Sequence, residues 1–184
     1  MRKIIAVEYL SLDGIMSDPM WTAPYFNEEL GELQDRWLFG SDTLLLGRVT
    51  YEGMSAAWMA NTDGDRFTGR INALPKYVVT RTLTDLTWNA ASLSGDIAGE
   101  VRALKQGEGA DILIYGSGVL VRSLLEHGLI DELRLIVCPV VVGEGRRLFS
   151  QESRAAFQLA EVKTTATGVV VLSYRTEPSS GASA

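Results

Sequence analysis

The chain alternates short apolar runs with segments in which apolar residues recur every three or four positions. Short apolar runs between Gly, Asp or Ser are typical of buried strands, and the longer spacing is typical of helices that cover a sheet. The predicted strands lie at 3–9, 43–46, 77–80, 111–115 and 133–138. The predicted helices lie at 26–37, 50–58, 97–104 and 119–127. Residues that favour the N-cap position stand at the start of three of these helices, and they are Asn27, Thr50 and Asp96.

The last third of the pattern differs, because two apolar runs at 158–165 and 169–175 flank the turn Ala166-Thr167-Gly168. That arrangement predicts a hairpin, and Pro139 is expected to end the pairing of the strand before it. Alternating strands and helices predict a largely parallel sheet covered on both faces. We therefore expect an α/β fold with a mixed, mostly parallel sheet and a C-terminal antiparallel hairpin. One domain is predicted over 1–176, followed by a flexible polar tail at 177–184.

Composition excludes several function classes. The formal net charge of -6 argues against a nucleic-acid partner, which usually meets a basic face. A single cysteine, Cys138, allows no intrachain disulfide, so we expect a reducing, cytoplasmic location. One cysteine and one histidine are too few for a structural zinc site, and no metal is expected. His127 is predicted to cap a helix, and no apolar run is long enough to span a membrane.

Three loops are expected at the carboxyl ends of parallel strands, where open sheets of this kind bind ligands. They are 11–14, 47–50 and 116–118. The turn Gly116-Ser117-Gly118 between a strand and a helix suits a pyrophosphate, because glycines let the backbone N–H groups approach an anion. We expect this turn at the surface. It lacks the third glycine of the Rossmann fingerprint, so a plain tight turn remains the alternative.

Two arginines follow predicted strands directly. Arg48 comes after the strand that ends at Gly47, and Arg81 follows the strand at 77–80. A guanidinium can make two parallel hydrogen bonds to a phosphate. Together the two side chains can grip the phosphate of an adenosine ribose, which favours NADPH over NADH. The alternative is that both are solvated cations.

The motifs in this order resemble the dihydrofolate-reductase-like superfamily. The resemblance is closer to the reductase domain of the bacterial riboflavin-pathway deaminase-reductase and its stand-alone relatives, and it extends from about residue 2 to residue 175. The matching motifs are SLDG at 11–14, LGRVTYE at 46–52, IYGSG at 114–118, LIDEL at 129–133 and PVVVGEGRRLF at 139–149.

The resemblance implies an NADPH site, with Ala6 and Val7 near the nicotinamide through their main chain. The other implied cofactor residues are Gly47, Arg48, Thr50, Arg81, Tyr115, Gly116, Ser117, Gly118, Val119 and Leu120. Asp13 is expected at the mouth of the substrate site as a catalytic carboxylate, or else as a former of its turn. The expected substrate residues are Ser11, Trp21, Tyr25 and Trp58, although aromatic residues are more often core.

Two departures from the family pattern limit the function. Folate reductases carry a buried carboxylate on the first helix, and the nearest candidates here are Glu28, Glu29 and Glu32, which are more often charges on a solvated face. A zinc deaminase needs a histidine–cysteine pattern that this chain lacks. We therefore predict an NADPH-dependent reductase of a small heterocyclic or ribosylamino-pyrimidine substrate. The alternatives are a dihydrofolate or pterin reductase and a non-catalytic nucleotide-binding protein.

A homodimer is also expected. The family resemblance implies it, and the apolar stretch at 135–142 is long enough to leave part of its surface for a partner.

Overall fold

One eight-stranded sheet forms the centre of the protein. The computed structural model describes residues 1–61, 64–151 and 153–177. The strands are β1 (Ile4–Leu10), β2 (Ser41–Gly47), β3 (Lys76–Val79), β4 (Ala90–Leu93), β5 (Asp111–Tyr115), β6 (Glu132–Val137), β7 (Phe157–Thr164) and β8 (Val170–Thr176). Their order in the sheet is β4-β3-β2-β5-β1-β6-β8-β7. β8 runs antiparallel to the other seven strands, which confirms the predicted mixed sheet with a terminal hairpin.

Helices cover both faces of the sheet. They are α1 (Glu28–Phe39), α2 (Arg48–Ala60), α3 (Arg66–Ala73), α4 (Ile97–Gln106) and α5 (Gly118–Glu126), with a 3₁₀ helix at Pro19–Tyr25 before them. The α1 face is the side on which α1, α2 and α3 pack over Ile5 and Val7. The α5 face is the opposite side, where α4 and α5 pack over Ile4 and Ala6. Alternate residues of β1 therefore serve two cores, as expected for a central strand buried on both sides.

Helix ends largely follow the predicted caps. The Asn27 side chain accepts a hydrogen bond from Leu30 N at 3.0 Å, and α1 ends at Gly40. His127 caps α5, with Nδ1 2.8 Å from the Ser123 carbonyl oxygen, which confirms its capping role. Thr50 does not cap α2, because β2 passes directly into the helix and Gly47 takes the cap position. Phe26 lies before the N-cap residue Asn27, so it is outside α1, and its side chain is exposed.

Three elements were absent from the sequence-based prediction: the 3₁₀ helix, α3 and β4. The first contains Pro19 and Pro24, which break the apolar periodicity, and β4 carries two exposed small residues. In the part of the chain that the structure describes, no helix is both long and apolar enough to cross a membrane. The predicted tail lies outside the described residues from position 178 onward.

Candidate functional site

Two turns that are far apart in the sequence meet at the carboxyl edge of the sheet. The main-chain N–H of Gly47 donates a hydrogen bond of 2.9 Å to the hydroxyl of Ser117, which is 70 residues away. A Cβ placed on Gly47 would lie 3.4 Å from the Ser117 Cβ, and one placed on Gly116 would lie 3.5 Å from the Thr50 side chain, which are ordinary van der Waals distances. The 47–50 and 116–118 turns therefore pack side by side.

Backbone N–H groups are concentrated at this junction. α2 and α5 both begin here, and the N–H groups of a first helical turn have no partner within their own helix. Gly116 and Ser117 have φ values of 55° and 66°, and these two left-handed residues turn the chain from β5 into α5. The Gly116 N–H donates to the Val7 carbonyl oxygen at 3.1 Å, which holds the turn against β1. This arrangement suits a pyrophosphate.

The structure corrects the expectation that the whole 116–118 turn lies at the surface. Gly118 is buried, and a Cβ there would overlap the Met16 side chain and lie 3.6 Å from Leu148 Cδ1. A larger side chain there would therefore have to displace the Met16 side chain, which belongs to the loop after β1. Of the two residues that follow, Val119 is exposed at the start of α5 and Leu120 is buried on the α5 face.

The two predicted phosphate-binding arginines lie at neighbouring strand ends. The register pairs Gly47 of β2 with Val79 of β3, so Arg48 and Arg81 both lie just beyond one edge of the sheet. Arg48 forms an ion pair of 2.8 Å with Glu52, and their side chains are 46% and 45% exposed. Such exposed pairs are worth only about 0–1 kcal/mol, so Arg48 can exchange Glu52 for an anionic ligand at little cost. Arg81 is fully on the surface.

The Asp13 side chain links the loop after β1 to the loop after β6 by hydrogen bonds. Its carboxylate accepts hydrogen bonds from the Ser11 hydroxyl at 2.6 Å, from Val142 N at 3.1 Å and from Gly143 N at 2.8 Å. The Ser11 hydrogen bond, followed by the backbone N–H groups, lowers the pKa of Asp13 to about 2. Ser11 is buried and also accepts from Ile15 N at 2.9 Å, so it faces the loop interior. These contacts give Asp13 and Ser11 a positioning role, and they lend no support to proton relay or substrate binding.

The three predicted substrate aromatics lie on the α1 face. Trp21 and Tyr25 come from the 3₁₀ helix and Trp58 from α2, and each is partly buried against the core of that face. Val7, the strand residue expected beside the nicotinamide, belongs to the same core. The structure therefore brings the aromatic residues and the central strand to one side of the sheet.

Comparison with known proteins identifies the family. The model of the RibD C-terminal domain matches residues 2–171 of this chain. The chain belongs to the RibD C-terminal domain family. Two Bacillus subtilis (strain 168) proteins are relatives of this RibD C-terminal domain. YyaP is 33% identical over 72% of this chain and 73% of its own length, and YwjB is 27% identical over 82% and 84%.

Solved structures similar to this RibD C-terminal domain show its fold. A Shewanella sp. PV-4 protein named for riboflavin biosynthesis superposes with a TM-score of 0.76 at 20% identity, covering 96% of this chain and 99% of that one. A Thermotoga maritima deaminase/5-amino-6-(5-phosphoribosylamino)uracil reductase has a TM-score of 0.68 at 14% identity over 95% and 56%. Dihydrofolate reductase from Enterococcus faecalis has a TM-score of 0.65 at 14% identity over 96% and 97%. The predicted dihydrofolate-reductase-like fold and family are thereby confirmed.

The three predicted acidic candidates of α1 do not lie against the sheet. Glu28 and Glu32 are exposed, while Glu29 accepts hydrogen bonds from Ala166 N at 2.7 Å and from the Asn27 amide at 2.8 Å. These hydrogen bonds, led by that from Ala166 N, lower the pKa of Glu29. The interpretation of these residues as surface charges is therefore correct. Among the described residues, no group of three His, Cys, Asp or Glu side chains is arranged to hold a metal.

Sequence reasoning missed two polar positions, one buried and one half-buried. Glu8 of β1 is 1% exposed, its Oε1 has no hydrogen-bond partner among the described residues, and burial raises its pKa to about 8. The sequence signal that could have identified Glu8 is a charged residue within the apolar run of β1. Gln34 of α1 donates to the Tyr9 hydroxyl, and its spacing of four from Leu30 already places it on the inward side of the helix.

Proposed function

We propose that this chain is an NADPH-dependent reductase of a small heterocyclic substrate, of the 5-amino-6-(5-phosphoribosylamino)uracil type. The observation that carries the proposal is the hydrogen bond between Gly47 N and Ser117 Oγ, which brings together the starts of α2 and α5 and the N–H groups of their first turns. Membership in the RibD C-terminal domain family supports a riboflavin-pathway-type reductase. The Thermotoga protein whose name includes this uracil reductase shares only the fold at 14% identity, so the substrate is part of the proposal.

The residues at the junction fit NADPH. The 116–118 turn and the start of α5 would bind the pyrophosphate, and Arg48 with Arg81 would bind the phosphate on the adenosine ribose. The main chain of Ala6 and Val7 would line the nicotinamide. When bound, the cofactor supplies a hydride, and the protein supplies binding, orientation and a water-poor setting.

A substrate on the α1 face would lie among partly buried aromatic side chains. Trp21, Tyr25 and Trp58 offer flat apolar surface, which suits a planar ring. Three acidic residues of α1 lie away from this region, since Glu28 and Glu32 are exposed and Glu29 is bound to Ala166 N. The fourth, Asp35, interacts electrostatically with Tyr115, so the preference for a pyrimidine-type substrate over dihydrofolate rests on the family match and not on α1.

Turnover is tested by following NADPH and NADH oxidation with pyrimidine, pterin and quinone acceptors. We expect NADPH to be oxidised with a pyrimidine-type acceptor and to bind more tightly than NADH. Oxidation with dihydropterins alone would favour the pterin reductase. Tight NADPH binding with no acceptor would favour a non-catalytic nucleotide-binding protein, and absence of NADPH binding would contradict the proposal.

We also propose a homodimer. Much of the apolar stretch at 135–142 is used within the sheet as β6, so it offers a partner little besides exposed Val141. The edge strand β7 carries two further exposed apolar residues, Leu159 and Val162. A stable dimer should bury at least about 1,000 Å² in total, and this edge is the better candidate for its centre. Light scattering at micromolar concentration should give twice the chain mass, and a monomer mass would contradict the proposal.

A further inference from the structure

Five polar side chains converge between α1 and the sheet. They are Tyr9 of β1, Gln34 and Asp35 of α1, Tyr115 of β5 and Arg134 of β6. The strand register aligns Tyr115, Val7 and Arg134 in one row across β5, β1 and β6. The row lies on the α1 face, because Val7 belongs to the core of that face.

Tyr9 and Arg134 of this cluster have partners. The Gln34 amide donates to the Tyr9 hydroxyl. Arg134 donates to Glu132 at 2.7 Å, and its guanidinium carbon lies 5.1 Å from the centre of the Trp37 ring. Both side chains are therefore satisfied within the folded protein.

The hydroxyl of Tyr115 is the exception. It is buried and has no hydrogen-bond partner among the described residues, although the residue as a whole is half-buried. Burial, followed by the charge of Tyr9, raises the pKa of the phenol, so it stays protonated and able to donate at physiological pH. A buried hydroxyl without a partner destabilises a fold, and a native protein keeps one for a reason.

The position of Tyr115 suggests the reason. Its main chain leads directly into the 116–118 turn, and the next N–H, that of Gly116, is bonded to Val7. The side chain therefore lies where the proposed cofactor turn meets the α1 face, in the same row as Val7.

We propose that the Tyr115 hydroxyl anchors the substrate, donating a hydrogen bond to a carbonyl oxygen of a planar ring held between α1 and β1. The identity of the reaction rests on the proposed function, whereas the observation that the Tyr115 hydroxyl has no partner among the described residues does not. Tyr115 would then determine specificity, because a ring without an acceptor at this position leaves the hydroxyl buried and unpaired.

The first test compares the stability of two matched variants without ligand. Tyr115→Phe removes an unpaired hydroxyl, so its melting temperature should equal or exceed that of wild type. Tyr9→Phe removes a paired hydroxyl and leaves the Gln34 amide without its partner, so its melting temperature should fall by roughly 2–4 °C. A fall in Tyr115→Phe as large as that in Tyr9→Phe would show a structural partner for the hydroxyl and would overturn the proposal.

The second test measures binding of 5,6-diaminouracil, a planar ring with two carbonyl groups, by calorimetry without cofactor. Wild type should bind it, and Tyr115→Phe should bind about tenfold more weakly. Equal affinity in both proteins, or no binding to wild type, would overturn the anchor. If NADPH fails to bind wild type while both Tyr115 results hold, the reductase proposal fails and the anchor stands.

Discussion

The hydroxyl of Ser117 accepts a hydrogen bond from the main-chain N–H of Gly47, at 2.9 Å. This one contact joins the end of β2 to the turn before α5, and the two helices that begin there depend on it for their relative position. Ser117 is held at a φ of 66°, a left-handed conformation that a non-glycine residue adopts only when its surroundings require it.

Ser117→Ala should therefore weaken NADPH binding while leaving the protein folded. The substitution leaves the Gly47 N–H without its acceptor, which costs about 1–3 kcal/mol in a buried setting and less where water can enter. We expect a lower melting temperature by a few degrees and a Kd for NADPH raised several-fold. Ser92→Ala, at an exposed position of β4, serves as the control. Unchanged NADPH binding in a stable Ser117→Ala protein would separate this contact from the cofactor site.

Arg48 is predicted to distinguish the two nicotinamide cofactors. A charge-assisted hydrogen bond to the extra phosphate is worth about 1.5–3 kcal/mol, so Arg48→Ala should weaken NADPH binding about tenfold or more. NADH, which lacks that phosphate, should bind as it does to wild type. Glu52→Ala is the matched variant, because it frees Arg48 from its ion pair and should leave NADPH binding unchanged or tighter. Equal losses for both cofactors in fluorescence titrations would exclude Arg48 from the phosphate site.

Gly118 is predicted to be constrained by packing against Met16. Gly118→Val places a side chain against Met16 and Leu148 in a buried position, and overpacking of this kind typically costs about 1–3 kcal/mol. We expect a lower melting temperature and weaker NADPH binding, because the start of α5 is displaced. Adding Met16→Ala should restore part of the stability, since the overlapping atoms belong to that side chain. If Gly118→Val alone is as stable as wild type, the loop at 11–17 can move aside without loss of stability, and the prediction is wrong.

Glu8 should make stability depend on pH. Burial raises its pKa from 4.5 to about 8, so the folded protein holds a proton that the unfolded chain releases. Unfolding therefore becomes easier as the pH rises from about 4.5 to about 8, and the dependence levels off above that range. Glu8→Gln removes this titrating group, so its melting temperature relative to that of wild type should rise between pH 6 and pH 8. The exposed Glu32→Gln is the control, and parallel curves for Glu8→Gln and wild type would contradict the burial argument.

Much of the fold could be predicted, because strands that are buried on both faces appear as short apolar runs. The hairpin and the Asn27 cap were predictable for similar local reasons, as were the glycine turns. The 3₁₀ helix and β4 were not, since their form is set by contacts with the rest of the chain and their own residues carry no periodicity. The start of α2 at Arg48 was also missed, because capping propensity favoured Thr50 while the direct passage from β2 decided it.

The site was predictable in outline and less so in detail. Turn composition pointed to Gly47 and Gly116, yet only the folded structure shows that Ser117 bridges the two turns. The sequence left Asp13 as a catalytic carboxylate or a turn former, and only the folded structure shows the N–H groups of Val142 and Gly143, far along the chain, bonded to it. Partners so distant in sequence leave no local signal. The free hydroxyl of Tyr115 was hidden for the same reason.

The central claim is that NADPH lies across the junction of the two turns. The most direct measurement is a titration of ¹⁵N-labelled protein with NADPH, following the backbone amide signals. If NADPH lies across this junction, the largest shifts will fall in 47–50 and 116–120, and the same titration of Arg48→Ala will need about tenfold more NADPH. Shifts confined to another part of the protein, or none at saturating NADPH, would contradict this placement of NADPH.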